Sequence, residues 1–186
     1  MRNRILLAML VVVLVAVVAG RQVPMLHPAP GRMPRVEVYF SPGGGCTEAV
    51  VREIRAAGHS ILVQAYSFTS TEIAQALIDA QQRGVDVKVL MDKEQTTEPF
   101  SVADTLRDAG VPLRTDALHP HAHNKVMILD GEVVITGSFN FTHQAESGNA
   151  ENLLVIRDRA LAARYRENWQ EHARHSVAVL PPGARP

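Results

Sequence analysis

The sequence predicts an α/β domain, a layered sandwich in which a mixed β-sheet is flanked by helices. Three observations predict it. From Val36 to Ile156, short apolar or alternating runs take turns with stretches whose apolar residues recur at helical spacing. Ile61–Tyr66 is apolar along most of its length, as in a strand covered on both faces. Asp130-Gly131, between Lys125–Leu129 and Val133–Thr136, is a two-residue hairpin signal, so part of the sheet is antiparallel. A chain of 186 residues has room for one such domain, with a core that needs no covalent staples.

At the start of the chain, Arg2 and Arg4 precede a charge-free apolar run from Ile5 to Ala19. That run suits the apolar segment of a secretory leader and falls short of the roughly 20 residues of a spanning helix. Residues 1–20 are therefore expected to be a signal peptide, with an N-terminal membrane anchor as the alternative. The protein is expected to be exported, either periplasmic or secreted, or tethered to the inner membrane through residues 5–19 if the leader is kept. Residues 21–34, with Pro24, Pro28, Pro30 and Pro34, read as a Pro-rich linker, and residues 35–186 as the folded domain.

Val36–Phe40 alternates like a strand. Ser41–Gly45 is a loop, and Thr47 is expected to cap a helix with Val50, Val51, Ile54 and Ala57 on one face, ending at Gly58. After the strand Ile61–Tyr66, Ser70 or Thr71 starts a helix with Ile73, Ala74, Leu77 and Ile78 on one face. Gly84 ends it, and Val85, Val87 and Val89 alternate in the next strand. Ser101–Ala109 is a short helix, Val111–Arg114 a short strand and Leu153–Ile156 another. Asp158 caps a last helix along which Leu161, Tyr165, Trp169 and His172 share a side, with Trp169 in the core.

Lys and Arg number 19, as do Asp and Glu, so anion recognition has to come from a local patch. Loss of Arg2 and Arg4 with the leader takes the basic count from 19 to 17 against 19 acids, a net charge of −2. Cys46 is the single cysteine, which excludes an intramolecular disulfide.

The chemistry is concentrated in His123-Asn124-Lys125-Val126-Met127-Ile128-Leu129-Asp130, an H-x-K-x4-D pattern, and in Gly137-Ser138-Phe139-Asn140. Alternation along a strand points His123 and Lys125 the same way, and likewise Ser138 and Asn140. A two-residue turn pairs Leu129 with Glu132 and sets Ser138 opposite His123, so all four side chains gather on one face. Lys125, Ser138 and Asn140 suit the non-bridging oxygens of a phosphodiester and the charge of a pentavalent transition state. Neutral His123 can attack phosphorus, forming a phosphohistidine that water then hydrolyses. Its ring needs an orienting partner, for which Glu151 is the nearest downstream acid. The leaving oxygen needs a proton, which a second histidine can supply near neutral pH.

Asp130 is expected to order the turn rather than touch phosphate, and Ser67 and Thr69, beyond a strand end, to line the pocket. His119, His121 and His123 alternate like zinc ligands on one strand face, but Lys125 continues that face with an ammonium, so no metal or other cofactor is expected. Ser138 as a hydrolase nucleophile is disfavoured because the G-x-S-x-G elbow is missing.

Together with Ala65-Tyr66-Ser67-Phe68-Thr69, Arg83–Lys88, Pro112–Asp116 and Ala150-Glu151-Asn152, these motifs resemble the phospholipase D superfamily from Val36 to Trp169, and within it the small bacterial endonucleases with one motif per chain. The resemblance implies a phospholipase D-like fold and a metal-independent phosphodiesterase that cleaves DNA, with RNA as a second nucleic acid, and reads little sequence. It also implies that Glu151 orients the histidine, and that a symmetric homodimer brings two copies of His123 into one site. The alternative it carries is hydrolysis of phospholipid headgroups.

Overall fold

The computed structural model describes residues 33–180. The leader expected at 1–20 and most of the linker lie outside the described residues, as do residues 181–186. The elements are β1 (Arg35–Ser41), α1 (Cys46–Ala56), β2 (Ser60–Ala65), α2 (Thr71–Gln82), β3 (Asp86–Asp92), α3 (Ala103–Asp108) and β4 (Leu113–Asp116). There follow β5 (Lys125–Leu129), β6 (Val133–Gly137), α4 (His143–Ser147), β7 (Glu151–Arg157), α5 (Arg159–His175) and β8 (Val177–Ala178). The strands form one sheet in the order β1-β7-β6-β5-β2-β3-β4-β8. Pairings β2–β3 and β3–β4 are parallel, and the others are antiparallel, so the expected mixed sheet is present.

Both faces are covered, and β5 shows why. Met127 and Leu129 belong to the large core that includes Ile54 of α1 and Leu77 of α2. Val126 and Ile128 point the other way, into the cluster with Ala162 and Trp169 of α5. A strand buried on both sides needs an unbroken apolar run, and Val126–Leu129 is one. Trp169 adds a hydrogen bond from Nε1 to the Val63 carbonyl at 2.8 Å, which ties α5 to the sheet.

Ser70 and Asp158 cap α2 and α5 as expected, accepting from Ile73 N–H and from Ala160 and Leu161 N–H. Thr47 does not cap α1. The cap position lies two residues earlier, at Gly45, whose φ of 76° is left-handed, and the Thr47 N–H instead donates to the Glu146 carboxylate at 2.7 Å. Cys46 is wholly buried, and burial first, then Glu146, pushes its thiol up to about 11. A thiolate nucleophile is therefore disfavoured there.

Two further expectations are corrected. Residues 117–124 form no strand, so His119, His121 and His123 do not share a strand face. The β5–β6 register is also shifted by one residue, because Leu129 pairs with Val133 rather than Glu132. Asp130 and Gly131 do form a left-handed turn, with φ of 53° and 66°. Glu132 is the extra residue: its N–H closes the turn onto the Leu129 carbonyl and its own carbonyl accepts from Asp158 N–H.

Asp130 lies at the opposite end of β5 from His123. Its carboxylate accepts three backbone N–H groups, from Gly58, His59 and Ser60, at 2.9, 2.8 and 2.9 Å. Burial alone would raise its pKa, but these bonds hold the carboxyl below the ordinary value. Asp130→Ala should cost about 1–3 kcal/mol in urea unfolding, with an unchanged m-value. Because the folded pKa is depressed, the wild-type advantage should be full above about pH 4 and fade as pH falls through the folded pKa.

Candidate active site

His123 sits where the C-terminal ends of the parallel strands β2 and β3 meet the start of β5, the crevice position that open α/β sheets favour for ligands. Its backbone is fixed from both sides. Tyr66 N–H donates to the Asn124 carbonyl at 2.9 Å. Buried Asp92 accepts Ala122 N–H at 2.6 Å through one oxygen and Glu94 N–H at 2.9 Å through the other. The imidazole is exposed, and its ring lies 4.3 Å from that of Tyr66, tilted by 46°.

Beneath it, Lys125 is buried at 8% exposure. Its ammonium donates to the His123 carbonyl at 2.8 Å, lies 3.0 Å from Nδ1 and 3.4 Å from Nε2 of the same residue, and stands 4.9 Å above the Tyr66 ring. No carboxylate pairs with it among the described residues. Burial lowers the Lys125 pKa, opposed by Glu151. Partial burial, then Lys125 and His121, lower that of His123, opposed by Asp92. The lowering favours the neutral form of the imidazole near neutral pH.

Ser138 reaches the site because Gly137 precedes it. A Cβ on residue 137 would fall 2.2 Å from the Asn152 carbonyl oxygen, so only glycine lets β6 come this close to β7. The Ser138 hydroxyl donates to Glu151 Oε2 at 2.5 Å and accepts Asn152 N–H at 3.1 Å. Asn149 Nδ2 donates to the other Glu151 oxygen at 3.0 Å.

His123, Lys125 and Ser138 line one open cleft of about 370 Å³, with Thr136 and Tyr165 on its wall. Glu151 joins through Ser138 and makes no hydrogen bond to His123. Asn140 and Ser67 are half-buried and outside that lining, and the Asn140 Oδ1 is buried without a hydrogen-bond partner among the described residues. A larger cleft of about 850 Å³ between β4 and the end of α5 contains none of the motif side chains. Sequence reasoning missed Tyr66, Asp92, Asn152 and Tyr165. The signal for Asp92 was present, since an acid ending an apolar parallel strand points into the crevice.

The segment 50–173 matches the family described as cardiolipin synthase, PLD-like domain. The chain belongs to the phospholipase D superfamily. A phospholipase D of Rickettsia prowazekii (strain Madrid E) is 44% identical over 144 residues, covering 77% of this chain and 70% of that protein. A mitochondrial cardiolipin hydrolase of Xenopus tropicalis is 34% identical over 129 residues, 67% of this chain and 61% of that one. Among solved structures, the phospholipase D family member Nuc from Salmonella typhimurium superposes with a TM-score of 0.76 at 41% identity, over 80% of this chain and 100% of its own. NucT from Helicobacter pylori, at 21% identity with a TM-score of 0.73 over 79% and 100%, shares the fold. As a phospholipase D superfamily member, the chain is a phosphodiesterase built on this fold with one H-x-K-x4-D motif.

The electrostatics of the cleft yield a test. Followed by imidazole NMR, His123 should titrate below the ordinary value of about 6.5. In Lys125→Met its pKa should rise, because a neighbouring positive charge is removed. A wild-type pKa above 6.5 would contradict this description.

Proposed function

We propose that the protein is an endonuclease that cleaves DNA, with RNA as a second nucleic acid, and that its chemical step needs no metal. The observation that carries this reading is the buried, carboxylate-free ammonium of Lys125 directly under the exposed His123 imidazole. A phosphodiester supplies the missing negative charge and places phosphorus at the imidazole. A ring nitrogen of His123 attacks phosphorus as the bond to the leaving oxygen breaks, giving a phosphoramidate. Lys125 and Ser138 hold the non-bridging oxygens, with Asn140 turning its amide toward them on binding and Ser67 lining the approach. Glu151 fixes the Ser138 hydroxyl. Water then attacks phosphorus, the P–N bond breaks and the imidazole is regenerated.

The leaving oxygen must be protonated and the water deprotonated. With one motif per chain, we assign both tasks to His123 of the partner subunit in a symmetric homodimer, an arrangement supported by the structural likeness to Nuc at 41% identity. Contacts confined to phosphate read no bases, which supports little sequence preference. The apolar run Ile5–Ala19 supports export, with action outside the cytoplasm.

The second reading is hydrolysis of phospholipid headgroups, favoured by relatives named phospholipase D and mitochondrial cardiolipin hydrolase. Against it, the cleft that holds the motif is small, and its walls include Thr136, Ser138 and Tyr165 rather than an acyl-sized apolar trough.

Plasmid DNA and phospholipid vesicles offered to the purified protein in excess EDTA separate the two. DNA should be cut, and His123→Ala should lose at least about a thousandfold in rate with its fold intact. Vesicle hydrolysis without DNA cleavage would establish the second reading. Sedimentation should give a dimer, and a monomer at assay concentration would remove the assigned general acid.

A further inference from the structure

β4 ends in Asp116, whose side chain is only 2% exposed. Three imidazoles converge on one of its oxygens. Oδ2 lies 3.0 Å from His119 Nδ1, 2.7 Å from His172 Nδ1 and 3.1 Å from His175 Nε2. The ring centroids are 5.0, 5.3 and 5.4 Å apart, and one ligand atom from each of the four residues lies within 4.8 Å of all the others.

We propose that Asp116, His119, His172 and His175 form a structural zinc site. One carboxylate and three imidazoles make a donor set suited to tetrahedral Zn²⁺, whose bonds of about 2.0–2.2 Å require ligand atoms roughly 3.3 Å apart. The four residues reach that spacing by small side-chain adjustments, and His119, with 42% of its side chain exposed, leaves a route from solvent. The set is built in pairs. His172 and His175 are three apart on α5 and so share a face, and His119 follows Asp116 by three residues. The other Asp116 oxygen accepts Leu118 N–H at 3.0 Å, which fixes the carboxylate and leaves Oδ2 for the ion.

Hydrogen bonding alone accounts poorly for this convergence. Three neutral rings would each have to aim a proton at one oxygen, and three protonated rings would crowd like charges around a single carboxylate. A divalent cation uses the ring lone pairs instead.

The surroundings are preorganised. Arg114 donates to the Ser176 carbonyl, and the Ser176 hydroxyl donates to the His172 carbonyl at 2.7 Å, so the end of α5 is already docked on β4. Four protein ligands close the coordination sphere, which marks the ion as structural rather than catalytic. It would clamp the end of α5 to the root of the loop that leads to His123. The phosphodiester chemistry does not pass through it.

The test is zinc content and stability of the full-length chain. Purified without chelator, it should keep one zinc per chain through dialysis. Stripping the metal should lower the unfolding midpoint by roughly 5–10 °C, and zinc alone should restore it. Co²⁺ in place of zinc should give the visible bands of a tetrahedral site. His172→Ala and His175→Ala should lose the metal, whereas His121→Ala, which alters only the neighbouring loop histidine, should keep it. A wild-type protein that binds neither zinc nor Co²⁺ would overturn the proposal whatever the variants do, and so would zinc held equally by His172→Ala/His175→Ala. These readouts do not depend on DNA cleavage, so failure here leaves the nuclease reading standing, and the reverse.

Discussion

An ammonium buried without a carboxylate partner is unfavourable unless an anion comes to it, and Lys125 is such a group. The cleft is arranged around that constraint. The His123 carbonyl and the face of Tyr66 compensate part of the desolvation, and they do so by clamping the His123 segment directly over the charge. Partial burial first, and then this proximity to Lys125, lower the His123 pKa and so favour its neutral ring. A phosphodiester completes the electrostatics, so the charge that draws an anion into the cleft also contributes to the state of the ring above it.

The sheet makes this arrangement rigid. β5 is central, with β2 on one side and β6 on the other, and its side chains enter both cores. At one end Asp130 gathers three N–H groups of the α1–β2 connection, and at the other Lys125 enters the cleft. Gly137 brings β6 against β7, so the Ser138 hydroxyl is shared between Glu151 and Asn152 before any substrate arrives. Interior packing therefore determines the site geometry, as preorganised electrostatic catalysis requires.

Much of this was legible in the sequence, because strand alternation, N-cap residues and the motif spacing are local signals. The α/β class, the caps at Ser70 and Asp158 and the core position of Trp169 all follow from them. What was not legible depended on non-local partners. Glu132 became an extra residue because its carbonyl is taken by Asp158, which shifted the register and removed the strand-pairing argument for Ser138 facing His123. The two line one cleft because the start of β5 and the end of β6 lie at the same end of the sheet. The histidine row failed for a similar reason: residues 117–124 leave the strand conformation, and His119 turns to Asp116 and α5. The elements α4 and β8 were missed because five and two residues are too few to show a period.

The central claim is that the Lys125 charge presents a phosphodiester to His123 as a covalent nucleophile. Rapid quenching of turnover on a phosphate-labelled oligonucleotide, followed by peptide mapping, tests it most directly. The account predicts label on the peptide carrying His123, stable in alkali and released by acid as a phosphoramidate is, and none in Lys125→Met at the same time point. Full turnover with no protein-bound label at any time, or label on another residue, would contradict it.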